Sequence, residues 1–325
     1  MNQLTSLAQA AQWIREGRCL SLAGSEAALR QLPEGQWIGG TIPYFMTDEG
    51  GLVASDDQVF VTDLGELGEA RVASYGEGDI ERVVTNAPDN GFTVLIIPFG
   101  GGTQRRFAAE AANFKDAFLK PTVGWISGVH LDDLGHKKPL VYDGRTHSAY
   151  EDRAVAVHVA LPADKLVQVD IINLFEPDGG DLIQFDETAF HVDSCRINGE
   201  RASLSAYIRD NGLDHGRLPL VGDFAGAHVN VSLQQVHDDH VDLYAPVFPG
   251  VDYHFARPVG DYAGDFRSRV ERQAMDGVAF SCNCILNYLF GELQGKRIGG
   301  PQGPFTFGEI AYQLLDQTQV TVRIL

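Results

Sequence analysis

Residues 280–312, FSCNCILNYLFGELQGKRIGGPQGPFTFGEIAY, indicate the fold class. It contains an apolar strand around Cys282 and Cys284, then a helix, a glycine-rich run and a second, aromatic strand. Strands and helices in alternation predict layers in which helices cover a mixed sheet. Residues that could bind a ligand stand at the ends of the two strands.

The same order of elements occurs twice more along the chain. The first copy is CLSLAGSEAALRQLPEGQWIGGTIPYFM, residues 19–46, and the second is FTVLIIPFGGGTQRRFAAEAANFKDAFLKPTVGWISGV, residues 92–129. In the first copy Ser25 is a good N-cap, and Pro33 limits the helix that follows it. The spacing of the copies is irregular, which indicates related α/β building blocks rather than a solenoid.

Strand-like runs fill the segments between these units, and an Asp- and Gly-rich region at residues 176–200 separates two parts of the chain. We therefore predict an α/β (α+β) fold of two related lobes with mixed β-sheets flanked by helices. The expected lobes are residues 1–190 and residues 191–325. No low-complexity linker divides them, so we expect the lobes to pack firmly together.

Composition narrows the classes of partner. The 325 residues include 44 acidic and 25 basic side chains, a formal net charge of −19. This balance argues against binding to nucleic acid or to an anionic membrane surface, and it favours a small neutral or amphoteric ligand or a basic partner. The sequence has no apolar run of about 20 residues and no signal-peptide pattern. Four cysteines agree with free thiols, and we expect a cytoplasmic location.

The strongest local signal is IIPFGGGTQRRF, residues 96–107, where a buried strand meets a glycine triplet and then a helix. Backbone N–H groups and the positive end of the helix would converge there, which predicts a site for a carboxylate or phosphate. The triplet matches neither the P-loop nor the dinucleotide fingerprint, and the alternative is a tight turn that needs small residues. The expected ligand contacts are Gly100, Gly101, Gly102, Thr103 and Arg105.

Cysteine and histidine spacing gives little support for a metal. Cys282 and Cys284 are too close for a zinc knuckle, and no second pair exists, so we predict buried structural thiols and no metal site. His237 and His240 bracket two aspartates in a predicted hairpin turn, which we interpret as a solvated turn. His130 follows a predicted buried strand, so it could line a pocket or serve a structural role.

Four segments resemble conserved segments of FIST domains. AFSCNCILNYLFGELQ followed by GPFTFGEI resembles the family's closing motif, and PTVGWISGVHLDDLGHKKPLVYDG resembles its earlier glycine-rich strand and acidic turn. RINGERASLSAYIRDNGL resembles the opening of the C-terminal half, and GRCLSLAGSEAALRQLPEGQWIGGTIPYF resembles the N-terminal unit. FIST sequences often carry an arginine shortly after the Ser-Cys pair, where this chain has Ile285, Leu286 and Asn287.

The resemblance implies a sensory module for a small ligand, with amino acids as the suggested class. Since the chain carries no kinase, cyclase or receiver segment, signalling would require a partner protein. Cys282 and Asn283 would lie on a core strand, and the pocket rim would include Thr306, Phe307 and Glu309. The ligand would also touch the glycine loop and the strand end near Ser127 and His130.

These observations predict a cytoplasmic sensory protein that binds an amino acid or a small carboxylate and has no catalytic activity. One alternative is a hydrolase or acyl-transfer enzyme, with Cys282 or Ser127 as nucleophile and the glycine loop as oxyanion hole. That alternative lacks a base next to either nucleophile in the sequence. A second alternative is a sensor with non-covalent haem, because some FIST members are associated with haem and ten histidines are present. Apart from haem, no cofactor is expected.

Overall fold

Three repeats of one topology build most of the chain. In the computed structural model, which describes residues 1–271 and 277–325, each repeat runs strand, helix, strand, helix, strand, hairpin, strand. The repeats span residues 2–63, 69–160 and 167–324, and the third contains an insertion at residues 174–261.

The first two repeats are continuous. The first consists of β1 (Asn2–Ser6), α1 (Leu7–Arg15), β2 (Leu20–Gly24), α2 (Glu26–Leu29), β3 (Trp37–Thr41), β4 (Tyr44–Thr47), β5 (Gly50–Val53) and β6 (Gln58–Asp63). The second consists of β7 (Glu69–Gly76), α3 (Arg82–Thr85), β8 (Gly91–Pro98), α4 (Gly102–Glu110), β9 (Thr122–Ser127), β10 (Val141–Asp143), β11 (Ser148–Tyr150) and β12 (Arg153–Ala160). Short 3-10 helices in the second repeat cover Glu77–Asp79, Ala111–Asn113 and Leu131–Asp133.

The third repeat is interrupted after its first strand, β13 (Val167–Asn173). The insertion consists of β14 (Ile183–Gln184), β15 (Ala189–Val192), β16 (Ser194–Ile197), β17 (Glu200–Ser203), α5 (Leu204–Asp210), β18 (Leu220–Phe224), β19 (Ala227–Val231), β20 (Leu233–Val236), β21 (Val241–Val247) and β22 (Asp252–Phe255). The repeat resumes with α6 (Tyr262–Glu271), β23 (Val278–Cys284), α7 (Ile285–Phe290), β24 (Gly303–Thr306), β25 (Glu309–Ala311), β26 (Gln313–Leu315) and β27 (Thr318–Ile324).

Each repeat forms a six-stranded sheet with the same order of strands. The orders are β1-β6-β2-β3-β10-β11, β7-β12-β8-β9-β25-β26 and β13-β27-β23-β24-β4-β5. The last two strands of every sheet are the hairpin of another repeat, so each repeat lends its hairpin to a neighbour. The exchange is cyclic, because repeat 1 lends to repeat 3, repeat 3 to repeat 2, and repeat 2 to repeat 1. The three sheets therefore form a closed pseudo-threefold arrangement.

The strand–helix–strand units predicted from the sequence are the centres of these sheets. β2 and β3, β8 and β9, and β23 and β24 are parallel pairs, whereas the other pairs within the three sheets are antiparallel. The predicted α+β class with mixed sheets is thus confirmed. The structure divides the chain more finely than the two expected lobes, since it contains three related units.

The expected lobe boundary needs correction. Residue 190 lies within β15, and the sheets of repeats 2 and 3 each join strands from both sides of that position. The physical reason is the hairpin exchange, which pairs β4 with β24 and β25 with β9. The insertion forms its own antiparallel sheets, β17-β16-β14-β22-β18-β19 and β15-β21-β20.

Local sequence rules explain where the helices begin. Ser25 Oγ accepts a hydrogen bond from the Ala28 N–H at 3.1 Å, so Ser25 is the N-cap of α2 as predicted.

Strand β8 is buried along its whole length, in keeping with its continuous apolar run. Gly40 on β3 allows close approach of repeat 2, because a Cβ there would lie 2.5 Å from the Trp125 ring. The three sheets consequently share one continuous core.

Candidate functional site

A cleft opens where the first parallel strand pair ends. It has a volume of about 500 Å³ and lies between α2, the segment after β3 and the segment after β9. Crevices at the carboxyl ends of parallel strands are common ligand sites, because chain segments diverge there and leave side chains free to converge. The lining residues are Ser25, Glu26, Ala27, Arg30, Thr41, Ile42, Pro43, Val53, Ala54, Asp56, Gly128, Val129, His130, Asp133, Lys137 and Lys138.

The cleft carries charges of both signs. Arg30 Nη2 lies 2.6 Å from Glu26 Oε1, and Lys137 Nζ lies 2.9 Å from Asp133 Oδ2. These ion pairs are solvent-exposed, so each contributes little to the stability of the fold. A ligand that brings its own charges can therefore replace one of these contacts at little cost.

His130 is one of the residues that line this cleft. Its ring stacks on Tyr44 with a centroid separation of 5.4 Å. Its Nδ1 accepts a hydrogen bond from the Asp132 N–H at 3.2 Å, while Tyr44 Oη accepts one from the Leu131 N–H at 3.0 Å. Tyr44 and these bonds hold the segment after β9 against the segment after β3, which forms one wall of the cleft.

The three repeats place a hydroxyl residue at the same point, the end of the second parallel strand. Thr41, Ser127 and Thr306 are each in register with the last residue of the preceding strand, and all three are buried. Thr41 Oγ1 donates to the Leu140 carbonyl and accepts from the Leu140 N–H. Ser127 Oγ has no hydrogen-bond partner among the described residues, although the side chain is fully buried.

The predicted contacts in repeat 3 come together, but inside the core. Glu309 is fully buried, and its Oε2 accepts from the Thr318 N–H at 3.1 Å and from Thr318 Oγ1 at 2.9 Å. Thr306 Oγ1 lies 3.3 Å from Glu309 Oε1 and 3.1 Å from the Asn283 carbonyl oxygen. Burial raises the pKa of the Glu309 carboxyl well above its usual value. This group links strands of two sheets and does not line the cleft.

The remaining predicted positions of this region are also packed. Phe307 lies against Phe99 with a ring centroid separation of 5.8 Å, and a Cβ at Gly128 would lie 2.2 Å from the Phe307 ring. Cys282 is fully buried and its thiol donates to the Gly124 carbonyl at 3.2 Å. Burial raises the pKa of this thiol well above its usual value, so it is a poor source of thiolate.

The glycine loop before α4 already has an anionic partner within the protein. The Thr103 N–H donates to Asp152 Oδ1 at 2.8 Å, and the Gly100 N–H donates to Gln104 Oε1 at 2.6 Å. A Cβ at Gly101 would lie 2.3 Å from Asp152 Oδ1. The Asp152 carboxylate therefore occupies the place expected for a ligand carboxylate, and the Arg105 side chain is exposed. Gly101 allows this close approach, while a Cβ at Gly102 would lie 2.3 Å from Glu77 Oε2.

Comparison with known protein families identifies the family of this chain. The profile of a family of unknown function, DUF6976, matches residues 5–325. The chain belongs to this family. No curated protein and no solved structure matches it. Among the described residues of this DUF6976 member, no helix is long and apolar enough to cross a bilayer.

Most residues of the cleft in this DUF6976 member were not predicted from the sequence. Glu26 is the half-buried first residue of α2 and Arg30 is its exposed C-cap, while Lys137 and Lys138 follow the 3-10 helix after His130. One sequence signal could have indicated the cleft: α2 follows a buried parallel strand, as α4 does. The segment containing α2 and the segment after β9 form one cleft because β10 joins the sheet of repeat 1. No local sequence pattern predicts this pairing of β10 with β3.

Proposed function

We propose that this DUF6976 member binds a small amphoteric molecule of amino-acid size in the cleft between repeats 1 and 2. The observation that carries the proposal is the presence of both signs of charge in one concave site of about 500 Å³. That volume is within the range usual for small-ligand sites. A ligand carboxylate would bind at Arg30 or Lys137, and a ligand ammonium group at Glu26 or Asp133.

The apolar lining supplies the rest of the recognition. Pro43, Val53 and Val129 line the same cleft and can contact a ligand side chain. This division of polar and apolar groups fits an amino acid better than a simple dicarboxylate. The resemblance to FIST sensory domains supports the same ligand class.

Binding without catalysis is the function we favour. The Cys282 thiol is buried with a raised pKa, and the glycine-loop N–H of Thr103 is bonded to Asp152. Neither the thiol nor the loop is therefore arranged for acyl transfer. We further propose a cytoplasmic location and signalling through a partner protein, and the four free cysteines support a reducing compartment.

A thermal-shift comparison of charge-matched ligands tests the proposal. The α-amino acid would be added at about 100 times its dissociation constant, which stabilises the folded state by about 2.7 kcal/mol, and its two derivatives would be added at the same concentration. With an unfolding entropy of about 2.1 cal/mol/K per residue, this raises the Tm by roughly 4 °C. An α-amino acid should give this shift, whereas its N-acetyl derivative and its amide should give smaller shifts because each lacks one charge.

Two lysine variants provide the matched control. Lys137 and Lys296 both form i,i+4 ion pairs and are similarly exposed, but only Lys137 lines the cleft. Lys137→Ala should reduce the ligand-induced shift, and Lys296→Ala should leave it unchanged. Equal shifts in both variants, or equal shifts with the N-acetyl derivative, would remove the basis for the proposal.

A further inference from the structure

The insertion brings three histidines to one carboxylate. His191 on β15 is the direct cross-strand partner of Asp242 on β21. His237 and His240 bound the turn between β20 and β21, which the His237 N–H closes by donating to the His240 carbonyl at 2.8 Å. The order β15-β21-β20 therefore places all four side chains at one end of the sheet.

The nitrogen atoms converge on Asp242. His191 Nδ1 lies 2.9 Å from Asp242 Oδ1, and His237 Nε2 lies 3.0 Å from Asp242 Oδ2. His240 Nε2 lies 3.8 Å from Asp242 Oδ2. In a tetrahedral zinc site with bonds of about 2.0–2.1 Å, neighbouring ligand atoms are about 3.3 Å apart. The observed separations bracket this value, so small side-chain rotations would complete the site.

The rings are also close to one another. The His240 ring centroid lies 4.0 Å from that of His191 and 4.1 Å from that of His237. Candidate ligand atoms of His191, His240 and Asp242 all lie within 4.8 Å of one another. Three imidazoles this close repel one another if all are protonated, whereas a shared cation would hold all three in their neutral form.

Two outer carboxylates complete the pattern of a metal site. His240 Nδ1 lies 2.7 Å from Asp239 Oδ1, and His191 Nε2 lies 3.3 Å from Asp193 Oδ1. In each of these two rings one nitrogen faces Asp242 and the other faces a second carboxylate. Metal-ligating histidines have this arrangement, because the outer carboxylate fixes the tautomer and orients the ring.

We propose that His191, His237, His240 and Asp242 bind a divalent transition-metal ion, with zinc as the expected occupant. Imidazole and carboxylate donors suit zinc, and the partial exposure of the His191 side chain leaves a path for the ion. The ion would join all three strands of this sheet. The sequence analysis predicted no metal site, because it rested on the cysteine spacing and on a solvated turn with His237 and His240. It did not include His191, so the proposal revises that prediction.

Equilibrium dialysis against Zn²⁺ with elemental analysis tests this site. The wild-type chain should bind one Zn²⁺ saturably, and Zn²⁺ should raise its Tm. His240→Ala and Asp242→Asn each remove a ligand, so affinity should fall by more than about 100-fold. Asp239→Asn removes only an outer contact, so affinity should fall by about 10–100-fold.

A matched variant controls for weak surface binding. His215 is an exposed histidine of the same insertion outside the cluster, so His215→Ala should bind Zn²⁺ like the wild type. Circular dichroism of each metal-free variant would show that the fold is retained. The proposal is overturned if the wild type shows no saturable binding, or if His240→Ala and Asp242→Asn bind as tightly as His215→Ala. Ligand binding in the cleft is measured separately and does not depend on this result.

Discussion

Replacing Asp316 by asparagine should change how the stability of the protein depends on pH. Asp316 is buried, and its Oδ2 accepts a hydrogen bond from the Ser232 N–H at 3.1 Å. Burial raises the pKa of Asp316 from 3.8 to about 7. Asparagine has nearly the same shape and can accept the same bond, but it does not ionise.

The direction of this pH dependence follows from which state of the protein, folded or unfolded, keeps the proton on Asp316. Between pH 3.8 and about 7 the folded state keeps a proton on Asp316 that the unfolded chain releases. The free energy of unfolding therefore falls as pH rises through this window. The pKa difference is about 3, and at about 1.36 kcal/mol for each pKa unit the ionised group costs about 4 kcal/mol at pH 8.

Urea unfolding of both proteins at pH 4 and pH 8 measures the effect. The stability of Asp316→Asn relative to wild type should increase by about 4 kcal/mol between these pH values. Asp214→Asn, a change at an exposed position of the insertion, should show no comparable pH dependence. A stability difference between Asp316→Asn and wild type that is the same at both pH values would show that Asp316 does not have a raised pKa in the folded state.

Three further changes test other parts of the structure. Burial lowers the pKa of His158 from 6.5 to about 4. The free energy of unfolding should therefore fall by about 3 kcal/mol as pH drops from 7 to 4. His158→Gln should remove that loss, as measured by urea unfolding at both pH values. The buried cysteines should react with a thiol reagent at pH 8 only after unfolding, and rapid reaction of the native protein would contradict their placement. Gly101→Asp should destabilise the fold by about 1–3 kcal/mol through collision and repulsion with Asp152, whereas Gly78→Ala, which has open space around it, should change the Tm little.

The local units of the fold were predictable because they depend on neighbouring residues. The apolar run of β8, the Ser25 cap and the turn at the glycine loop are local features, and each strand–helix–strand unit formed as predicted. The hairpin exchange was not predictable in this way. It pairs β4 with β24 from the opposite end of the chain, and such pairings depend on tertiary packing.

The site residues show the same division. His130 lines the cleft, because a residue just after a buried strand tends to lie at a sheet edge. Glu309 was expected at a pocket rim, but bonds to Thr318 and Thr306 keep it in the core. The partner of Thr103, Asp152, is 49 residues away in the sequence, so no local pattern showed that it caps the glycine loop.

The most direct test of the proposed function is a crystal structure of the protein with the amino acid that gives the largest thermal shift. We expect density for the ligand in the cleft, with its carboxylate at Arg30 or Lys137 and its ammonium group at Glu26 or Asp133. Density for the ligand at another position, with the cleft filled only by solvent, would contradict it.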